Sequence, residues 1–111
     1  ENRLRFFYFF TKGGPVTESA YQTKLIRRLK KIFPGCVVLK NDPQYQQGIL
    51  DLTLLWERCW AMLEVKASDK AENRPNQAFY VEQLGRMSFA AFIYPENEEE
   101  VLIALQEAFA S

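Results

Sequence analysis

The chain has 111 residues, 48% hydrophobic and 25% charged, which bounds it to one globular domain with a modest core. It contains no histidine and two cysteines, Cys36 and Cys59, so Ser–His and Cys–His catalysis, histidine general bases and most zinc sites are excluded. The formal net charge is zero, yet residues 1–40 carry nine basic and two acidic side chains, against five basic and twelve acidic in the remainder. A basic half of this kind suits either a polyanionic partner or a solvated lysine-rich helix. No apolar run approaches the roughly 18–20 residues needed to span a bilayer, so no membrane role is expected. Two distant thiols without a CxxC motif suit a reduced, intracellular protein.

Residues 1–16 are read as an N-terminal arm or edge segment, and 17–111 as the domain. The chain opens on Glu1, as a fragment or processed chain would. Residues 4–10 form a dense aromatic cluster, an aggregation hazard if exposed alone and a candidate dimer contact. Lys12-Gly13-Gly14-Pro15 reads as a loop. Thr17 offers an N-cap side chain. Tyr21, Leu25, Ile26, Leu29, Ile32 and Phe33 then recur at helical spacing and predict a helix over 18–33, ended by Pro34-Gly35. Lys24, Arg27, Arg28, Lys30 and Lys31 fill much of its other face. They are candidate phosphate contacts or a solvated surface.

Residues 36–39 read as a strand, and 41–48 as a polar loop whose Asp42, Gln44 and Gln47 are solvated or touch a substrate. Two further apolar stretches, 50–56 and 60–66, flank Glu57-Arg58-Cys59 and predict a hairpin, although favoured Asn-Gly turn chemistry is lacking. Trp56 and Trp60 flank the turn and are expected to pack across the strands, with base stacking as the alternative. Residues 67–74 are a polar loop in which Lys70 and Arg74 are further candidate phosphate contacts. Pro75 opens a helix expected to end near Leu84, before Gly85. Residues 89–94 are a fourth strand. Asn97 is expected to cap a last helix over 98–109, with Glu96, Glu98, Glu99 and Glu100 as capping and solvating acids. The predicted order is α-β-β-β-α-β-α, an α/β fold.

The chemistry centres on Asp51 and Glu64-Val65-Lys66. Side chains alternate along a strand, so Glu64 and Lys66 share one face and Leu63 and Val65 the other. Folding the hairpin at Glu57 and Arg58 sets 55 opposite 60, 53 opposite 62 and Asp51 opposite Glu64. Opposed Cβ atoms lie about 4.5–5.5 Å apart. Two carboxylates that close repel unless a positive group lies between them. A hard divalent cation is the simplest such group, and Mg²⁺ suits carboxylate oxygens. A slip of one residue would separate the two acids.

Gly48-Ile49-Leu50-Asp51 followed by Leu63-Glu64-Val65-Lys66 resembles the PD-(D/E)xK nuclease signature. The wider pattern resembles the VRR-NUC group: a first helix with an early Glu, a Gly-x-x-Asp strand start, a Glu-Val-Lys strand and a helix opening Pro-x-Gln. Its stand-alone phage and bacterial members are similar to Holliday-junction resolvases, and the likeness covers about residues 17–105. It implies a restriction-endonuclease-like αβββαβ core, with a central mixed sheet of about four strands flanked by helices. It also implies a metal-dependent DNA endonuclease selective for branched DNA or Holliday junctions, acting as a homodimer in the cytoplasm of a bacterial or phage-infected cell. Asp51, Glu64 and the main-chain carbonyl of Val65 would bind Mg²⁺ or Mn²⁺, with Glu18 as a further candidate ligand. Lys66 would be the catalytic lysine, and Glu18 and Gln77 would complete the catalytic set. Lys24, Arg27, Arg28, Lys31, Lys70 and Arg74 would contact DNA. One departure is Leu50, where the family often has proline before the Asp. A catalytically silent DNA-binding module on the same fold is the alternative.

Overall fold

The computed structural model describes residues 17–111; the aromatic cluster at 4–10 and the loop at 12–15 lie outside the described residues. Helix α1 (Glu18–Ile32) starts where the sequence predicts, with Thr17 accepting a hydrogen bond from the Ala20 amide at 3.0 Å. Strands β1 (Val37–Lys40), β2 (Leu52–Trp56) and β3 (Cys59–Val65) follow, then α2 (Pro75–Met87), β4 (Phe89–Ile93) and α3 (Glu98–Ala110). The sheet order is β1-β2-β3-β4, antiparallel except for the parallel β3–β4 pair. The fold is therefore α/β with a mixed four-stranded sheet, consistent with a restriction-endonuclease-like αβββαβ core.

The hairpin register is the predicted one: Leu52 pairs with Leu63, Thr53 with Met62 and Trp56 with Cys59. Glu57 makes the two-residue turn by adopting a φ of 58°. That left-handed backbone supplies the twist which Asn-Gly would otherwise provide.

One sheet face carries Leu52, Leu54, Ala61, Leu63, Val65 and Ile93 against Tyr21, Leu25 and Leu29 of α1 and Leu102 and Leu105 of α3. These side chains form the core, and burial at about 25 cal/mol per Å² of apolar surface is the main drive for it. The second face is covered differently. Helix α2 packs on β4 and β3, while Val37, Leu39 and Leu55 at the β1–β2 end stay exposed. The only buried residue of α2 is polar, Gln77.

Four local expectations differ. Helix α2 runs through Gly85 to Met87, and the Ser88 amide closes it on the Leu84 carbonyl. Packing on β4 outweighs the helix cost of glycine, roughly 1 kcal/mol relative to alanine. Asn97 caps nothing with its side chain; its Oδ1 accepts from the Tyr94 amide at 2.9 Å and its Nδ2 donates to the Phe92 carbonyl at 3.0 Å. It thus fastens the exit of β4. Trp56 and Trp60 do not pack on each other, because the register sets them on opposite faces. The Trp56 ring lies against Phe33 at 5.1 Å and Phe109 at 6.3 Å. Finally, Glu98 and Glu99 do more than cap: both bind Arg28, and Glu98 also accepts from the Tyr21 hydroxyl at 2.7 Å. This network joins α1 to α3, and the Tyr21 phenol, buried and facing that acid, is pushed well above its ordinary pKa.

Candidate active site

The hairpin register carries Asp51, just before β2, to the flank of Glu64 near the end of β3. The Asp51 amide donates to Glu64 Oε1 at 3.1 Å, and Asp51 Oδ2 accepts from the Val65 amide at 2.9 Å. Each acid thus grips the other's strand. The Lys66 amide donates to the Ile93 carbonyl on β4. The Val65 amide points the opposite way, toward Asp51. The N–H and C=O of a strand residue leave on the same side, so the Val65 carbonyl also faces the site.

Lys66 is buried alongside. Its Nζ donates to Gln77 Oε1 and to the Glu72 carbonyl, both at 3.0 Å, and lies 3.7 Å from Glu64 Oε2. Gln77 completes the circuit, its Nε2 donating to Glu64 Oε2. Its Oε1 also accepts from the Arg74 amide at 3.3 Å, the reciprocal half of a capping box at the start of α2. One amide side chain therefore fixes the lysine, the glutamate and the helix N-terminus together. A buried pair held this way would be strongly destabilised by removal of a single partner.

The loop before Asp51 is equally constrained. Asn41 bonds the Asp51 carbonyl through its amide and the Leu50 carbonyl through its side chain, both at 2.8 Å, while Thr53 donates to Asn41 Oδ1 at 3.0 Å. Gly48 has a φ of 85°, and a Cβ there would stand 2.6 Å from the Asn76 Cβ on α2. The glycine of the Gly-x-x-Asp motif is thus required twice, by its backbone and by the close approach of the helix. Asn41 and the Glu72 carbonyl are positioning groups that the sequence does not single out. Their roles depend on contacts between distant segments.

Burial and mutual charge dominate the electrostatics. The Glu64 carboxyl, 3% exposed, is pushed up to about 7, first by burial and then by the Asp51 charge, against the opposing pull of Lys66. Burial also raises Asp51, which the Val65 amide, Lys66 and Arg74 partly offset. Glu18 lies on the exposed start of α1, yet partial burial and the Asp51 charge raise it too, with Lys66 and Arg74 opposing. So Glu18, Asp51, Glu64, Lys66 and Arg74 form one electrostatic neighbourhood, with three acids against two cations.

The donor set fits a hard divalent cation. It consists of oxygen only: the Asp51 and Glu64 carboxylates and the Val65 carbonyl, in a neighbourhood with an excess of negative charge. Among the described residues no group of three acidic, histidine or cysteine side chains is arranged to hold a metal. Glu18 therefore stands outside the immediate donor set.

The remaining predicted contacts are dispersed. Arg74 is beside the site. Lys24, Arg27 and Lys31 lie on the exposed face of α1, and Lys70 is exposed in the loop after β3. Arg28 is held by Glu98 and Glu99, so its first role is to fasten α1 to α3. Among the described residues no helix is long and apolar enough to cross a membrane. Comparison with protein-family models, curated proteins and solved structures finds no significant match to this chain. The nuclease resemblance accordingly rests on the site residues and the fold.

Proposed function

We propose that this protein is a divalent-metal-dependent endonuclease that hydrolyses DNA phosphodiester bonds and selects its substrate by DNA structure. The observation that carries the reading is the mutual grip of Asp51 and Glu64, with Lys66 buried at their side. Bound Mg²⁺ or Mn²⁺ supplies Lewis acidity and a water of lowered pKa. Asp51, Glu64 and the Val65 carbonyl hold that ion. Lys66, in reach of Glu64, neutralises developing phosphate charge or orients the attacking water, and Gln77 keeps its ammonium in place. Arg74 receives a non-bridging phosphate oxygen, while Lys24, Arg27, Lys31 and Lys70 give sequence-independent backbone contacts. Branched DNA, including four-way junctions, is the expected substrate. Two-site cleavage of a junction then calls for a homodimer, working in the cytoplasm of a bacterial or phage-infected cell.

Incubation of linear, nicked and branched DNA with Mg²⁺ or Mn²⁺ tests the reading. Cleavage should disappear in Asp51→Asn and Lys66→Ala. No cleavage of any substrate, or cleavage indifferent to both changes, would sink it. The hydrogen bonds that the Asp51 and Glu64 carboxylates already accept from the Val65 and Asp51 amides and from Gln77 favour one second reading, a silent DNA-binding module. Titration of Mn²⁺ into wild type and Glu64→Ala separates the two, because a silent module has no site to lose.

A further inference from the structure

The two faces of the sheet are covered unequally. Val38 and Leu54 pack with α1 and α3 in the core. Alternation along the strands turns their neighbours Val37, Leu39 and Leu55 to the opposite face. The register sets Val37 beside Leu55, and Leu55 beside the half-buried Trp60. On that face α2 packs on β3 and β4, while Val37, Leu39 and Leu55 remain 49, 46 and 38% exposed. Among the described residues β1 is also an edge of the sheet. An apolar edge strand is an aggregation hazard unless something covers it.

We propose that residues 4–10 of the same chain, Leu-Arg-Phe-Phe-Tyr-Phe-Phe, lie over this β1–β2 face and complete the layer that α2 begins. The length of the intervening chain and its point of departure argue for that occupant. The described chain starts at Thr17, and Glu18 feels the charges of Asp51, Lys66 and Arg74. Strand β1 finishes at the same end of the sheet, where Lys40 pairs with Leu52 and the Asn41 amide donates to the Asp51 carbonyl at 2.8 Å. Residues 11–16 separate the aromatic cluster from Thr17, and six extended residues reach about 20 Å. That length passes from the α1 layer around the end of the sheet to its other face, at layer spacings of about 10 Å. Gly13-Gly14-Pro15 within it has the composition of a turn. The seven residues beyond, if extended, cover about 23 Å, more than the length of β2 at about 3.3 Å per residue. A second copy of the chain fits this face less well. Three part-exposed aliphatic side chains fall well short of the roughly 800 Å² per partner of a stable interface. The inference does not depend on the nuclease reading.

Nuclear Overhauser contacts in the full chain test the proposal. The methyl groups of Val37, Leu39 and Leu55 should show contacts to assigned ring protons of Phe6, Phe7, Tyr8, Phe9 or Phe10. Replacing the four phenylalanines together by serine should abolish them. Leu39→Ser should lower the Tm of the wild-type chain by several degrees and leave that of the four-serine chain unchanged, because the two changes remove one shared contact. The wild-type contacts decide the matter even where the four-serine chain melts too early to measure. A sample mixing methyl-labelled with ring-labelled chains identifies the source of the rings. Contacts confined to chains that carry both labels are the expected result. Contacts in the mixed sample place a second copy on this face and overturn the proposal. So does the absence of contacts in every sample, or a Leu39→Ser chain that melts with the wild type.

Discussion

Replacing Glu64 by glutamine should stabilise the metal-free protein at pH 8 and leave it no more stable than wild type at pH 5. Burial and Asp51 move the Glu64 carboxyl from 4.5 to about 7. For an acid raised in this way, the folded state holds the proton more tightly than the unfolded chain. Stability from this group is complete below pH 4.5 and is lost as the pH rises through 7. At about 1.4 kcal/mol per pH unit, the loss above pH 7 is at most about 3 kcal/mol. Glutamine is neutral and similar in shape. It keeps one accepting oxygen where the carboxylate serves both the Asp51 amide and Gln77, at a cost of about 1–2 kcal/mol. The net gain at pH 8 is then about 1–2 kcal/mol, a rise of roughly 4–9 °C in Tm for a chain of this size. Urea melts at both pH values, without metal and with Mn²⁺, check this. Mn²⁺ should stabilise wild type and not the variant. A variant less stable than wild type at pH 8, or equally stabilised by Mn²⁺, would refute the account of Glu64 as a buried acid awaiting a cation.

Gln77→Ala should lose about 2–3 kcal/mol in the same melts, because Glu64 Oε2 and Lys66 Nζ each lose a buried partner; a loss under about 0.5 kcal/mol would argue against the circuit. Gly48→Ala should cost at least about 2 kcal/mol through its positive φ and the close Asn76 Cβ, and should weaken Mn²⁺ binding measured by calorimetry. Gly85→Ala should gain about 0.5–1 kcal/mol, since the added methyl meets nothing closer than the Ala90 carbonyl at 3.9 Å; a loss would mean that the glycine serves the packing on β4.

The hairpin shows why much of the site was legible. Alternation along β3 fixed which side chains share a face, and the two-residue turn fixed the register, so the proximity of Asp51 and Glu64 followed from counting. The turn itself looked weak because Glu57 pays locally for a positive φ that the paired strands enforce. Gln77 could be placed at the first turn of a helix, but the bond from its Oε1 to Lys66 depends on how α2 lies over β3. Arg28 looked like any other cation of α1, because its partners stand seventy residues onward. Asn97 has ideal capping chemistry, and the polar groups at the end of β4 claimed its side chain. Periodicity reports faces and ends; it carries no information on which distant polar group a side chain will meet.

Helix α2 has one buried residue, and that residue is Gln77. The other helices are moored by leucines and aromatics, whereas the innermost tether of this one is an amide hydrogen-bonded to a lysine and a glutamate. Its resistance to local opening is therefore sensitive to the charge state of Glu64. Amide hydrogen exchange along α2 should respond to whatever occupies the pair of carboxylates, while α1 and α3 stay protected throughout. The helix is in effect a built-in gauge of the state of the centre beneath it.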